Sequence, residues 1–163
     1  MANNQKDRFH FFWSGNSVFS QWHKSSFTDE DEQKYVTCEQ YMMAQKAKLF
    51  NDMKAYEEIL KTTSPKKCKS LGRKVKGFDE KTWCEHREQI VYNGNLLKFS
   101  QNPDLKKILL DTGDKIIVEA SPYDKIWGIG IRENNPNATN PAKWRGLNLL
   151  GKALSKVRTE LNK

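Results

Sequence analysis

The chain has 163 residues, enough to bury a substantial core within one domain. Hydrophobic residues make up 37% and aromatics 11%, with five tryptophans and eight phenylalanines, which excludes a disordered chain and suggests a packed core with a ring-lined pocket. A formal charge of +8 favours polyanionic partners such as nucleic acid, nucleotides or phosphorylated metabolites, although the dispersed lysines also fit a soluble basic surface.

Residues 1–8 are polar and are expected to form a disordered tail, with a single domain over 9–163. Residues 9–27 are aromatic-rich and interrupted by Gly15, Asn16 and paired serines, a pattern of short strands and turns. Val18-Phe19-Ser20-Gln21-Trp22 has strand character, and a regular strand cannot turn both Phe19 and Trp22 inward, so one of them is free to line a surface cleft. The charged stretch 28–34 reads as a loop.

Thr37, with Gln40 three residues on, forms a capping box opening a helix over 38–50. At about 100° per residue, Glu39, Met42, Met43, Lys46, Leu49 and Phe50 share one face, so the spacing predicts an amphipathic helix with a lysine on its apolar side. Such an amine either snorkels to water or is used where it sits, and burial would favour its neutral, nucleophilic form. Glu39 is roughly 10 Å away along the axis, too far for an i,i+4 bridge and far enough to bracket a small ligand.

Asp52 caps a helix ending near Leu60, and Ser64-Pro65 opens a short one stopped by Gly72. Asp79 caps a longer helix over 81–99 with Trp83, Ile90, Val91 and Leu97 inward and Arg87 on the same stripe. Asn102-Pro103 opens another, closed at Asp111-Thr112-Gly113. The clearest strand is 115–120, carrying Glu119 either into a cleft or to an exposed edge. After Ser121-Pro122-Tyr123-Asp124, residues 126–131 read as a further strand in which Gly128 and Gly130 strip one side for a ligand or another backbone. Residues 133–141 form an Asn/Pro-rich loop. The last helix, 147–161, packs through Leu147, Leu150, Leu154, Val157 and Leu161, and Gly151 within it marks tight packing or a ligand.

Cys38, Cys68 and Cys84 are odd in number and widely spaced, which argues against a disulfide framework, and Cys84-Glu85-His86 has the wrong spacing for structural zinc. No metal and no cofactor are expected. With no signal-peptide pattern and no membrane-length apolar run, a cytoplasmic or nuclear monomer without membrane contact is the expectation.

Glu39, Lys46, Glu119 and Asp124 together supply an amine and three carboxylates. Arg73, Arg87, Arg132 and Arg158 can supply anion contacts, and Trp13, Trp22, Trp83, Trp127 and Trp144 stacking walls. Such a set suits cleavage of a glycosidic bond. Each member has a plainer alternative: core filling for the tryptophans, salt bridges for the arginines, pairing with Arg73 or Arg158 for Glu119, a turn cap for Asp124, and a loop-backbone bond in place of a ribose contact for Asn148.

The blocks Cys38-Glu39-Gln40-Tyr41-Met42-Met43-Ala44-Gln45-Lys46-Ala47, Leu71-Gly72-Arg73, Glu119-Ala120-Ser121-Pro122-Tyr123-Asp124-Lys125-Ile126-Trp127-Gly128-Ile129-Gly130 and Trp144-Arg145-Gly146-Leu147-Asn148-Leu149-Leu150-Gly151 resemble those of the YbiA/NADAR family. Phe11-Phe12-Trp13 with Phe19-Ser20-Gln21-Trp22 is similar to its opening block. The resemblance implies a mainly helical α+β domain with a small sheet, and N-glycosidase chemistry on ADP-ribose or ribose-phosphate compounds. The substrate would be ADP-ribosylated guanine in nucleic acid or, for some bacterial members, a riboflavin-pathway ribosylamine.

On that resemblance Lys46 corresponds to the family lysine. It would attack the anomeric carbon after ring opening, form a Schiff base, expel the base and be freed by water; an electrostatic clamp with direct water attack is the competing reading. Glu119 and Asp124 are the favoured acid/base pair, with Glu39 orienting a ribose hydroxyl or Lys46. Trp13, Trp22, Arg73, Arg87, Trp127, Gly128, Gly130, Asn148 and Arg158 are the candidate substrate contacts. A non-catalytic ADP-ribose reader and a plain nucleic-acid-binding module are the other classes weighed. The retained amine and carboxylates speak against the first, and the lack of a recognition helix or RNP-type motif against the second.

Overall fold

A computed structural model describes residues 5–163. In chain order these form β1 (Phe9–Phe12), β2 (Phe27–Thr28), β3 (Lys34–Tyr35), α1 (Cys38–Leu49), α2 (Met53–Leu60), α3 (Pro65–Gly72), α4 (Glu80–Gln101), α5 (Pro103–Asp111), β4 (Ile116–Glu119) and α6 (Leu149–Leu161), with 3-10 turns at Gln5–Arg8 and Pro141–Lys143. The architecture is α+β and mainly helical, with β1 paired to β4 and β2 to β3 in two small sheets. Of the expected tail, residues 1–4 lie outside the described residues and Gln5–Arg8 form a helical turn. No described helix is long and apolar enough to cross a membrane.

The chain folds as two units, the second in sequence being Gln21–Asn102. At its centre is α1, packed against α2, α3 and α4. Thr37 accepts the Gln40 N–H as the capping box requires, but the Gln40 side chain takes the Val36 N–H at 2.8 Å and donates to the carbonyls of Ile59 and Thr62. The box thereby fastens the start of α1 to the end of α2. Residues 38–44 and Ala47 are all buried, so α1 is a central helix enclosed on most of its circumference and not the one-faced amphipathic element its spacing predicts. Close approach is bought by small residues. A Cβ at Gly72 would collide with the Met43 sulfur, and one at Gly94 would lie 2.7 Å from the Tyr41 ring. Gly72 is thus a packing residue as much as a stop. Asp52, Ser64 and Asp79 cap α2, α3 and α4 as expected, accepting N–H groups of Ala55, Lys67 and Thr82.

The other unit comprises residues 1–20 and 103–163. Its strands β1 and β4 run parallel, with Phe9 opposite Ile116 and Phe12 opposite Glu119. One face is covered by α6, and Phe9, Val118, Ala120, Ile129, Ile131 and Ala138 form a core against which Phe11 and Trp144 pack.

Two expected strands are absent. Residues 18–22 are a chain of turns, because Ser17 draws the backbone round: its hydroxyl accepts the Phe19 N–H and its carbonyl the Ser20 N–H. Phe19 is nonetheless buried and Trp22 partly exposed, as the expectation of one inward ring required. Residues 126–131 are irregular, since Gly130 takes a left-handed φ of +74° and the Ile129 N–H bonds the Glu119 carbonyl. The final helix starts two residues later than expected, which leaves Leu147 exposed and outside the packing stripe.

Candidate active site

Lys46 lies in the last turn of α1, half-buried. Its Nζ stands 4.6 Å from the centre of the Phe78 ring and 5.4 Å from that of Trp83. Burial pushes its pKa below the ordinary lysine value; the charges of Glu80 and Glu39 pull back upward, and Arg73 adds to the depression. The amine therefore lies beside two aromatic rings, within the fields of two carboxylates and a guanidinium, on a side chain that is half open to water.

Glu39 is buried in the first turn of α1, where the helix N-terminus favours a negative charge, and its own N–H is held by the Gln21 carbonyl. Arg87, one turn beyond Trp83 on α4, has a buried Nε with no hydrogen-bond partner. An orphaned buried donor is costly unless something accepts from it, and this keeps Arg87 among the candidate anion contacts. Arg73 is exposed at the end of α3.

In the other unit, Glu119 ends β4 and is partly buried. Asn148, in the left-handed conformation at φ 53°, spans the strand: its Oδ1 accepts the Glu119 N–H at 3.0 Å and its Nδ2 donates to the Ile117 carbonyl at 3.0 Å. Both ends of the Asn148 amide are thus engaged by backbone, the plainer of its two readings, and the residue positions Glu119. Asp124 uses Oδ1 to accept the N–H groups of Ile126 at 2.9 Å and Trp127 at 2.8 Å, which is its turn-capping alternative.

Arg158 likewise has a fastening role, with Nη1 donating to Thr112 Oγ1 and to the Lys115 carbonyl, both at 2.8 Å. A Cβ at Gly128 would lie 2.9 Å from the Glu119 carbonyl and 3.0 Å from that of Asp124, so the space it leaves is filled by the chain's own backbone. Gly130 serves the turn through its φ. Trp127 is half-buried. Trp13 is 41% exposed, with the Arg132 guanidinium 5.2 Å from its ring centre.

The NADAR domain model matches residues 11–162, nearly the whole described chain. The chain belongs to the NADAR domain family. It is 47% identical to N-glycosidase R617 of Acanthamoeba polyphaga mimivirus, over 96% of this chain and 98% of that protein. It is 32% identical to the riboflavin biosynthesis protein PYRR of Zea mays, over 94% of this chain but only 25% of that longer one. Among solved structures, the NMR structure of Escherichia coli YbiA superposes with a TM-score of 0.78 at 29% identity, covering 96% of this chain and 86% of that one.

In this NADAR chain Glu39 and Arg73 both act electrostatically on Lys46, and Arg87 holds a buried donor in the same unit. Among the described residues no three His, Cys, Asp or Glu side chains form a metal-holding group. Sequence reasoning missed Phe78 and Glu80. A signal for Phe78 was present: it precedes the N-cap Asp79 and stands five residues before Trp83, the spacing of a hydrophobic staple. Both staple residues lie over the Lys46 amine.

Lys98 was missed too. It is 0% exposed within α4, and burial lowers its pKa. Helical spacing did carry the signal, since Lys98 stands seven residues after Val91 and four after Gly94 on the buried stripe of α4.

Phe78 is 42% exposed, so its ring is removable without opening the core. Phe78→Ala is expected to admit water to Lys46 and raise its pKa. Loss of the cation–π contact acts the other way, but at a half-exposed site it is worth only about 0.5–1 kcal/mol, and burial is the dominant cause of the depression. If the neutral amine is the active form, kcat/KM rises with pH through the Lys46 pKa, and Phe78→Ala moves that limb to higher pH. An unmoved limb would show that Phe78 does not set the protonation of Lys46.

Proposed function

We propose that this chain is an N-glycosidase that hydrolyses the bond joining ADP-ribose to a guanine base in nucleic acid or a nucleotide, with Lys46 as nucleophile. The observation that carries the reading is the Lys46 amine under the rings of Phe78 and Trp83, held by burial below its ordinary pKa. Recognition of an anion needs no such depression; a nucleophilic amine does. The name N-glycosidase of the mimivirus relative supports the reaction class, and the charge of +8 supports a polyanionic substrate.

The chemistry runs as follows. A carboxylic acid protonates the ribose ring oxygen, the C1–O bond opens, and C1 becomes an iminium with the nitrogen of the base. The neutral Lys46 Nζ adds to C1. The C1–N bond to the base then breaks as that nitrogen takes a proton, leaving C1 as a Schiff base with Lys46. Water adds to C1, a base removes its proton, and cleavage of the C1–Nζ bond returns the amine and releases ADP-ribose. Glu39, buried and acting electrostatically on Lys46, is the acid/base candidate within its own unit. Glu119, presented by Asn148 at the end of β4, is the second acid/base candidate. Asp124 is assigned to the turn.

A second reading is hydrolysis of a riboflavin-pathway ribosylamine, favoured by the name of the maize relative. The same Schiff-base route would serve, because a ribosylamine opens to an iminium in the same way. The test is release of product, followed by mass spectrometry, from a guanine-ADP-ribosylated oligonucleotide, the matching modified nucleoside and the ribosylamine. The proposal expects free ADP-ribose from the first two, with kcat/KM greatest for the oligonucleotide. Turnover of the ribosylamine alone would establish the second reading, and binding without turnover would make the chain an ADP-ribose reader.

A further inference from the structure

The connection between α3 and α4 is a strap that ends on Phe78, the ring beside the Lys46 amine. Its residues 74–78 are exposed apart from Val75, which is buried. Gly77 bends the strap at a φ of +79° beside the Phe50 carbonyl, and the Phe78 ring meets the Phe50 ring edge to face at 5.4 Å between centres. Among the described residues, 75–78 make a single hydrogen bond: the Lys76 N–H donates to Asp52 Oδ2 at 2.9 Å.

Asp52 is in turn fixed to the turn of α1 that carries Lys46. The chain leaves α1 through Asn51 at a left-handed φ of 57°, a conformation open to asparagine. The Asp52 N–H then returns to the Ala47 carbonyl at 2.9 Å. Its carboxylate is divided between two elements: Oδ1 accepts the Ala55 N–H at 3.1 Å and caps α2, while Oδ2 takes the strap. A cap needs only one oxygen, and asparagine caps as well as aspartate. The other terminal atom of asparagine is an NH₂ donor, which cannot accept from Lys76. The second oxygen of Asp52 therefore serves the strap and not the helix.

We propose that Asp52 is a positioning residue for Lys46: its carboxylate clasps the strap to the Lys46 turn and so keeps the Phe78 ring beside the amine. This role rests on Lys46 being the nucleophile of the proposed reaction, and it adds what holds the neighbouring ring in place. The Lys76 and Ala55 N–H groups hold the Asp52 carboxyl below its ordinary pKa, so the clasp is ionised wherever Lys46 titrates. Lys46 is faced by Glu80 in the first turn of α4, Glu39 on its own helix and Arg73 at the end of α3; Asp52 is faced by Lys76 on the strap and Lys54 on α2.

Asp52→Asn thus has two opposed effects on Lys46. Losing the clasp frees Phe78, admits water and raises the Lys46 pKa. Losing a negative charge acts to lower it. The sign of the shift separates the two.

The test reads Lys46 without turnover. Full-length protein is labelled with trace acetic anhydride across a pH series, and the Lys46 peptide is quantified by mass spectrometry. The labelling midpoint is expected to rise in Asp52→Asn and in Asp52→Ser, which keeps one capping oxygen. It should stay in place in Ser64→Ala, which removes the cap of α3 and leaves the strap bond intact. The rising limb of kcat/KM is expected to move with the midpoint and to reach the wild-type plateau at high pH. Below the limb, kcat/KM falls tenfold for each unit of movement.

A midpoint that rises while the kcat/KM limb stays would uphold the clasp and remove Lys46 as nucleophile. A midpoint that stays or falls in the folded Asp52 variants would overturn the clasp. If neither variant folds, amide exchange in the wild-type protein decides: the Lys76 N–H is expected to be protected, and exchange at the rate of an open chain would overturn the proposal.

Discussion

Lys46→Ala is expected to lower kcat on the ADP-ribosylated guanine substrate by on the order of 10⁴-fold or more, the scale seen when the nucleophile of a covalent hydrolase is removed. Lys46→Arg separates the two roles open to this side chain. A guanidinium keeps the positive charge and stays protonated at any ordinary pH, so it can replace a clamp but not a nucleophile. The covalent route predicts that Lys46→Arg is about as inactive as Lys46→Ala. Recovery by arginine to within roughly tenfold of wild type, about 1.4 kcal/mol of barrier, would assign Lys46 to electrostatics and leave the attack to water. The pH profile supplies the sign. Because burial places the Lys46 pKa below the usual lysine value, the neutral fraction and the rate both grow as pH rises through that pKa and then level off.

Gly151→Ala carries the largest expected effect on stability. Its Cβ would fall on the Ile117 carbonyl of β4 and approach Asn148 Nδ2 to 2.5 Å and Oδ1 to 2.6 Å. None of these atoms can yield cheaply: the carbonyl is in a paired strand, and the amide is bonded at both ends to β4. Helix α6 would have to lift from β4, at a cost of about 3 kcal/mol, the upper part of the overpacking range. That is a large share of a total stability of about 5–15 kcal/mol, and corresponds to a fall in Tm of roughly 6–12 °C for a chain of this size.

Gly72→Ala is the control. Its new methyl meets the flexible end of Met43, and the better helix propensity of alanine returns up to about 1 kcal/mol, so the loss should be much smaller. Thermal unfolding of the two variants side by side checks the ranking; equal melting temperatures would mean that α6 is not seated on β4 in this way.

Much of the architecture is legible from local chemistry. Thr37, Asp52, Ser64 and Asp79 announce four helices because a side-chain oxygen followed by a free N–H is a short-range interaction that needs no tertiary context. The strand 116–119 is legible from its run of branched residues, but its partner is not: β1 lies more than a hundred residues earlier, and nothing local encodes parallel pairing. The failures at 18–22 and 126–131 share a cause. Both contain strand-forming residues, yet serine hydroxyls in one and glycine torsions in the other let the backbone find partners outside a ladder.

The site divides in the same way. Lys46 is legible because helical spacing sets it among apolar neighbours. The rings that cover it are not, because Phe78 and Trp83 arrive from another helix start, and the exposed Phe78 looks like a loop residue until its staple position is noticed. Asn148, Arg158 and Asp124 bear residue types that suit ligands, and their bonds to backbone atoms are set by the tertiary fold or a turn that residue type alone does not announce.

The most direct measurement is reductive trapping. Protein turning over ADP-ribosylated guanine nucleotide would be treated with borohydride, and its intact mass and peptide map read by mass spectrometry. The account predicts a stable adduct carrying the reduced ADP-ribose chain, located on Lys46 and absent in Lys46→Ala. An enzyme that turns over fully under the same conditions yet leaves Lys46 unmodified would contradict it.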